Sequence, residues 1–307
     1  MKIFRELKEI KGLALALGFF DGVHIGHKKI LSALLEHAKA KGVETAVVTF
    51  EKNPSDYFSD EITPAIQTFK DKELIMDSLG IDYIFELDFE KYKNLEAIDY
   101  LQNILVKTFN PPVIVVGYNH TFGKNKVGTP AFLKDHEQKF GYECIIVPEF
   151  KYNDSEEVSS SVIRKYIQQG QLNTAKSLLG RSFSVRNSVI KGNKMARALG
   201  FPTANTIWPN TMVKLPYGVY FGFAKIGNII KPALISWGTK PTLSDGREEI
   251  LETHIYNFSE DIYGKIINVI FVEKLRDEQN FGNISALKAQ IKNDFTVFEK
   301  WAKTVKI

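Results

Sequence analysis

Between Leu13 and Val147, five short and unbroken apolar runs alternate with stretches of helical spacing. The runs are "LALALG", "ETAVVTF", "DYIFELDF", "PPVIVVGY" and "ECIIVP". A strand covered on both faces reads as a continuous apolar run, and parallel strands reach that state because their crossover helices cover both sides of the sheet. The alternation therefore predicts an open parallel sheet flanked by helices. "HKKILSALLEHAKAKG" shows the helical part of the pattern: Ile30, Leu31, Leu34, Leu35 and Ala38 share one face, and Lys41-Gly42 forms a stop.

A further helical stretch, "SSSVIRKYIQQGQLNTAKSLLG", opens on hydroxyl residues able to cap it and closes at Gly180. After Arg181 the period changes. "FSVRNSVIKG", "YGVYFGFAKIG", "KPALISW", Glu249 to Phe258 and "KIINVIFVEKL" alternate or run rich in β-formers, with Gly and Pro at the breaks. These segments predict a small antiparallel barrel. A final amphipathic helix closes the chain, with Ser285 as cap and Leu287, Ile291, Phe295, Phe298 and Ala302 as its stripe. The predicted class is thus α/β followed by a β-barrel, with a boundary near residues 180 to 184. A length of 307 residues agrees with two cored domains at roughly 150 residues each.

Composition narrows the function classes. A net charge of +4 spread over 40 scattered Lys and Arg residues carries no footprint of nucleic-acid binding and suits a polyanionic metabolite. The single cysteine, Cys144, can build neither a disulfide framework nor a thiolate metal site. "MKIFRELKEIKG" lacks a signal-type apolar core, and no run approaches the ~18 apolar residues a membrane span needs. The expectation is a cytoplasmic chain with no membrane partner.

The chemistry gathers first in "LGFFDGVHIGHKKI", a loop between the first parallel strand and its helix. Open α/β sheets bind ligands at the carboxyl ends of their strands, and the next helix offers unpaired backbone N–H groups to a phosphate. Gly18, Gly22 and Gly26 let a nucleotide approach the backbone closely, while His24 and His27 can aim imidazole N–H groups at one α-phosphate. Adenylyl transfer needs no covalent enzyme intermediate, so charge stabilisation can supply most of the acceleration. In "VSSSVIR", Ser159 to Ser161 sit at a helix start with Arg164 one turn in, an arrangement suited to further phosphates. In "GFPTAN", Thr203 and Asn205 would point to one side of an extended segment and could join phosphate oxygens around Mg²⁺. Taken alone, Glu252 reads as a solvent-facing strand residue, and "VVGYNHTFG" as a turn.

"FDGVHIGH" is similar to the nucleotidyltransferase loop of prokaryotic bifunctional riboflavin kinase and FAD synthetase, and the likeness runs through the whole chain. "TFEKNP", "VVGYNHTFG" and "VSSSVIR" follow in the family's order, then "LGFPTAN", "GVY", "GTKPT", "LETHIYNF", "YGK" and "KLRDE". The resemblance implies a Rossmann-like FMN adenylyltransferase domain at residues 1–181 and a riboflavin kinase barrel at 182–307. It implies catalytic roles for His24 and His27, and for Glu252 as the base that takes the riboflavin 5′-hydroxyl proton. Gly18, Phe20, Asp21, Gly22, Asn119, Ser160, Ser161, Arg164, Lys194 and Arg197 would contact nucleotide. Asn53, Pro54, Phe58, Phe122, Arg276 and Asp277 would contact flavin. Thr203 and Asn205 would hold Mg²⁺, with ATP as co-substrate and riboflavin, FMN and FAD as the other partners.

The chain departs from the family pattern in several places. Phe19 stands where asparagine is usual, and Lys52 and Asn53 replace a proline and a histidine. Val162 replaces an arginine, and "GNKMAR" replaces "GDKRGR" in the nucleotide flap. Asn53 and Val162 support one rival expectation, a kinase whose adenylyltransferase half has decayed; a flavin-binding regulator without turnover is the second rival.

Overall fold

The structure, a computed structural model, describes residues 1–153, 156–191, 201–241 and 247–305. Lys194 and Arg197 lie outside the described residues. By its internal contacts the chain divides into two compact units, one of Met1–Ala65 with Phe69–Ser160, the other of Ile66–Thr68 with Ser161–Ile307.

The first unit is built on a six-stranded sheet. Its strands are β1 (Lys2–Phe4), β2 (Ala14–Leu17), β3 (Thr45–Phe50), β4 (Tyr83–Leu87), β5 (Val113–Gly117) and β6 (Glu143–Val147). They pair in the order β1-β4-β3-β2-β5-β6, every pair parallel. The apolar runs have the reason expected of them. Along β2, Leu13, Leu15 and Leu17 enter one core with Val48, Phe85 and Phe109. Ala14 and Ala16 enter the other core, with Leu31, Leu34, Val47 and Ile84. The helix α1 (Ile25–Lys41) covers that second face, where the alanines leave it room, and ends at Gly42 in the left-handed conformation. From β2 the chain proceeds to β3 and β4 on one side, while β5 lies on the other. The carboxyl end of β2 is therefore the switch point where open α/β sheets bind ligands.

Strand β1 was not expected, because an edge strand with two of its three residues exposed carries no apolar run. Opposite the sheet, the short helices α3 (Ala97–Asp99) and α4 (Lys107–Phe109) flank a π-helical segment, Tyr100–Val106.

The stretch after Val158 also differs from expectation. One continuous helix is replaced by α6 (Ser160–Gln168) and α7 (Leu172–Leu179), because Gly170 turns left-handed between them with φ 71°. Two further helices complete the first unit, α2 (Phe69–Ser78) and α5 (Pro130–Phe140), with a small hairpin of β7 (Lys151–Tyr152) and β8 (Glu156–Glu157).

The second unit carries six antiparallel strands: β9 (Ser184–Ser188), β10 (Ala204–Thr206), β11 (Gly218–Ile226), β12 (Ile229–Pro241), β13 (Arg247–Ile255) and β14 (Ile266–Asp277). Their order is β10-β13-β12-β11-β14-β9. The two edges then meet where Ile190 N–H donates to the Asn205 carbonyl at 2.8 Å, which nearly closes the barrel. Alternation sends Tyr220, Ile235, Trp237, Leu251 and Phe271 to the fully buried face. Val219, Phe221 and Leu234 face the other way, under Phe298 and Ala302 of α8 (Ile284–Thr304). The cap of α8 is Asn283, whose side chain accepts from Ala286 N–H at 2.8 Å, rather than Ser285.

Candidate functional site

In the first unit the site begins where β2 ends. Gly18 N–H closes the ladder onto the Val48 carbonyl at 3.2 Å. The next six residues include three in left-handed conformations, Phe20 (φ 56°), Gly22 (φ 80°) and Val23 (φ 38°). Phe20 and Val23 pay a steric penalty there that only a well-determined surrounding can hold. Phe20 and Asp21 are buried, and the Asp21 carbonyl accepts from Ser160 Oγ at 2.9 Å.

His24 is 5 % exposed and caps α1, its Nδ1 accepting the His27 backbone N–H at 3.2 Å. That bond makes Nε2 the proton-bearing nitrogen of the neutral ring. The two imidazoles stack, with centroids 3.5 Å apart and planes 17° apart, and Phe20 sets its edge against His27 at 5.2 Å. Gly26 leaves the His24 ring its place, since a Cβ there would stand 3.2 Å from that ring and press it aside. The loop thus brings His24 and His27 together at a helix N-terminus, beside a switch point.

Asn119 lies exposed just after β5. Phe122 is engaged by its own unit: its ring packs 5.6 Å from Tyr100 and 5.9 Å from Phe132, and a Cβ on Gly128 would meet it at 2.6 Å. Asn53 caps a 3-10 turn beginning at Pro54, its Oδ1 accepting from Ser55 N–H at 3.2 Å, which leaves its amide N–H₂ to donate. Phe58 is 68 % exposed beside Phe89.

Sequence reading passed over Lys72, because "KDKE" within a helix looks like an ordinary solvated charge pattern. It is 4 % exposed, and its Nζ donates to the Phe19 carbonyl at 2.8 Å. Burial lowers its pKa to about 8 against the opposing pull of Asp21 and Glu86.

Ser161 and Arg164 belong to the second unit, in the first turns of α6, where Arg164 Nη2 donates to Ser161 Oγ at 3.1 Å. In the barrel, Asn205 of β10 stands directly opposite Glu252 of β13. Directly opposed residues share a face with Cβ atoms about 5 Å apart, so the expected base and the expected metal ligand are neighbours. Asn205 is 6 % exposed, and its Nδ2 donates to the Thr203 carbonyl at 3.3 Å. Its Oδ1 is buried with no hydrogen-bond partner among the described residues. A buried hard oxygen without a proton donor suits a divalent cation, with Thr203 as the second oxygen donor. Among the described residues no cluster of three or more His, Cys, Asp or Glu could hold a metal, so such a cation would depend on neutral oxygens and substrate phosphates.

In the same unit, a cavity of about 270 Å³ is lined by Phe201, His254, Tyr256, Phe258, Phe295 and Glu299. Phe201 stacks on Phe295 at 3.8 Å, and His254 meets Phe295 edge-on at 4.6 Å. Arg276 is held by Asp294 through both guanidinium and carboxylate forks, at 2.8 to 3.1 Å, and its Nη1 donates to the Asp277 carbonyl at 2.9 Å. The Asp277 carboxylate is exposed and paired with Lys274.

Comparison with known proteins agrees with this division of labour. The FAD synthetase family model matches residues 6–162, and the riboflavin kinase model matches residues 179–302. The bifunctional riboflavin kinase/FMN adenylyltransferase of Buchnera aphidicola subsp. Schizaphis graminum is 32% identical over 98% of this chain and 99% of its own. The enzyme of the same name from Pseudomonas fluorescens is 34% identical over 93% and 92%, and that from Escherichia coli (strain K12) is 30% identical over 96% of each. Among solved structures, a macrolide-efflux protein from Streptococcus pneumoniae superposes with a TM-score of 0.86 at 28% identity, covering 100% of this chain and 99% of that one. Among the described residues no helix is long and apolar enough to cross a membrane. Two adjacent family matches, near-full-length relatives and a histidine pair at the switch point lead to one assignment: the chain belongs to the bifunctional riboflavin kinase/FMN adenylyltransferase family.

Proposed function

We propose that this chain makes FAD from riboflavin in two steps. The barrel transfers the γ-phosphate of one ATP to the riboflavin 5′-hydroxyl, giving FMN. The parallel-sheet domain transfers AMP from a second ATP to FMN, releasing pyrophosphate. The observation that carries the reading of the first domain is the stacked pair of His24 and His27 at the start of α1. His24 Nδ1 accepts in the helix cap, and its Nε2–H would donate to the oxygens of an α-phosphate as charge builds on them. The Asp21 to Val23 segment and the N–H groups of α1 provide the seat for the phosphates. Asn119 and Ser160 add nucleotide contacts, while Asn53, Pro54 and the exposed Phe58 receive the flavin; for Ser161 and Arg164 the nucleotide role rests on the family resemblance.

In the barrel, Glu252 accepts the 5′-hydroxyl proton of riboflavin as the oxygen attacks phosphorus. Asn205 Oδ1 and Thr203 would hold Mg²⁺, which when bound offsets the phosphate charge. The aromatic cavity beside Phe201 gives the adenine of that ATP a stacking wall. Arg276, locked to Asp294, shapes the flavin side of the site through the backbone at Asp277. The adenylyltransferase spans residues 1–181 and the kinase 182–307, in the cytoplasm.

Incubation with riboflavin, ATP and Mg²⁺, followed by chromatography of the flavins, tests the whole reading. FMN and FAD together support it. FMN alone would mean a decayed first domain, and riboflavin bound but unchanged would mean a regulator.

A further inference from the structure

The Phe19 carbonyl receives two side-chain donors from two different elements. Lys72 Nζ of α2 donates at 2.8 Å, and Thr49 Oγ1 at the end of β3 donates at 3.0 Å, with Nζ and Oγ1 themselves 3.5 Å apart. Thr49 is fully buried. The Lys72 ammonium also lies 4.3 Å from the centroid of the Phe19 ring and 5.2 Å from that of Phe69. This carbonyl immediately precedes Phe20, the first of the left-handed residues that lead to His24. A loop in that conformation persists only where its surroundings over-determine it.

A buried ammonium is a poor way to gain stability, because an apolar chain of the same length fills the space without the desolvation cost. The charge here is aimed instead. The carboxylates that act on it are Asp21, from the loop itself, and Glu86, from β4, which is bonded to Arg5 at 3.2 Å. On its own helix, Glu73 is paired with Lys70.

We propose that Lys72 is a positioning residue for adenylyl transfer, its ammonium holding the Phe19 carbonyl and facing Asp21 so that the loop keeps the shape that delivers His24 to the α-phosphate. The inference rests on the reading of the first domain as the adenylyltransferase. Because burial brings the deprotonation of Lys72 down to about 8, adenylyl transfer should lose rate as the pH rises through that value. The neutral amine still donates to Phe19, but its charge against Asp21 is gone.

The test is the full-length Lys72→Met variant, with both activities measured on the same molecule. The kcat for FAD formation from FMN and ATP should fall at least about 10-fold, with KM for both substrates within about 2-fold, while riboflavin phosphorylation is unchanged. The alkaline limb near pH 8 should also disappear. An unchanged kcat, equal loss of both activities, or an alkaline limb that persists in the variant would each overturn the proposal while leaving the domain assignment standing. A wild-type protein that forms FMN but no FAD would overturn both. If Lys72→Met does not accumulate as folded protein, Thr49→Val removes the other donor with no change of charge. It should lower the same kcat about 3-fold or more with KM unmoved, and a kcat equal to wild type would count against the proposal.

Discussion

Replacing His24 separates its two duties. Its ring caps α1 through Nδ1, and in the proposed mechanism it meets the α-phosphate through Nε2. His24→Ala removes both, so about 1 kcal/mol of stability goes with the cap in addition to any loss of rate. His24→Asn removes only the second, because asparagine is among the best N-cap residues and can accept the same His27 N–H. Losing one preorganised donor to developing charge costs about 10² to 10³ in rate, or roughly 2.7 to 4 kcal/mol of barrier. We therefore expect His24→Asn to unfold in denaturant within about 0.5 kcal/mol of wild type, yet to make FAD from FMN at least about 10²-fold more slowly. Riboflavin phosphorylation, read in the same samples, serves as the control for intact protein. The double variant His24→Ala/His27→Ala should lose less than the product of the single losses, since rings stacked at 3.5 Å would act on one phosphate in the proposed mechanism. A His24→Asn protein that retains near-normal FAD formation, or loses FMN affinity in place of kcat, would refute this account of the pair.

Glu252→Gln should cut FMN formation by about 10² or more while FAD formation from supplied FMN stays near normal; equal damage to both would remove Glu252 from the base role. Gly26→Ala should raise the melting temperature slightly, as alanine favours the helix, yet slow FAD formation about 10-fold because its Cβ presses the His24 ring from 3.2 Å. A fragment of residues 161–307 should melt about 5 °C or more above residues 182–307, because α7 buries Leu178 and Leu179; equal melting would show that α6 and α7 add nothing to the barrel. Lys72 holds its proton less tightly when folded, at about 8, than at its ordinary 10.5, so the unfolded chain binds more protons between those values and stability should rise with pH across them. The full rise is about 3 kcal/mol, and Lys72→Met should flatten it in denaturant melts taken from pH 7 to pH 10.

What was legible in the sequence was what local pattern determines. Strands β2 to β5 could be read because both of their faces are buried and most of their positions are apolar, and the half-buried edge strand β6 keeps the apolar run Cys144 to Val147, whereas β1 could not because its exposed edge carries no such run. The break at Gly170 was ambiguous for a related reason: a glycine inside a helical period is tolerated in some helices and ends others, and the packing on either side decides. The same division runs through the candidate sites. Strand, glycine loop, H-x-G-H and helix are contiguous, so the place of His24 and His27 follows from a few residues. Glu252 gains its neighbour Asn205 only through the register of β13 on β10, which joins residues 47 positions apart.

Lys72 is the extreme case, since nothing in "FKDKELI" distinguishes a lysine facing water from one driven beneath the Phe19 carbonyl. Only the tertiary partner does that. The consequence concerns how such sites are held: the histidines proposed to meet the phosphate are placed by a local motif, while the Phe19 carbonyl at the head of their loop is bonded by Thr49 and Lys72, from β3 and α2. A substitution can therefore leave the motif "FDGVHIGH" intact and still misdirect it, through residues that no motif contains.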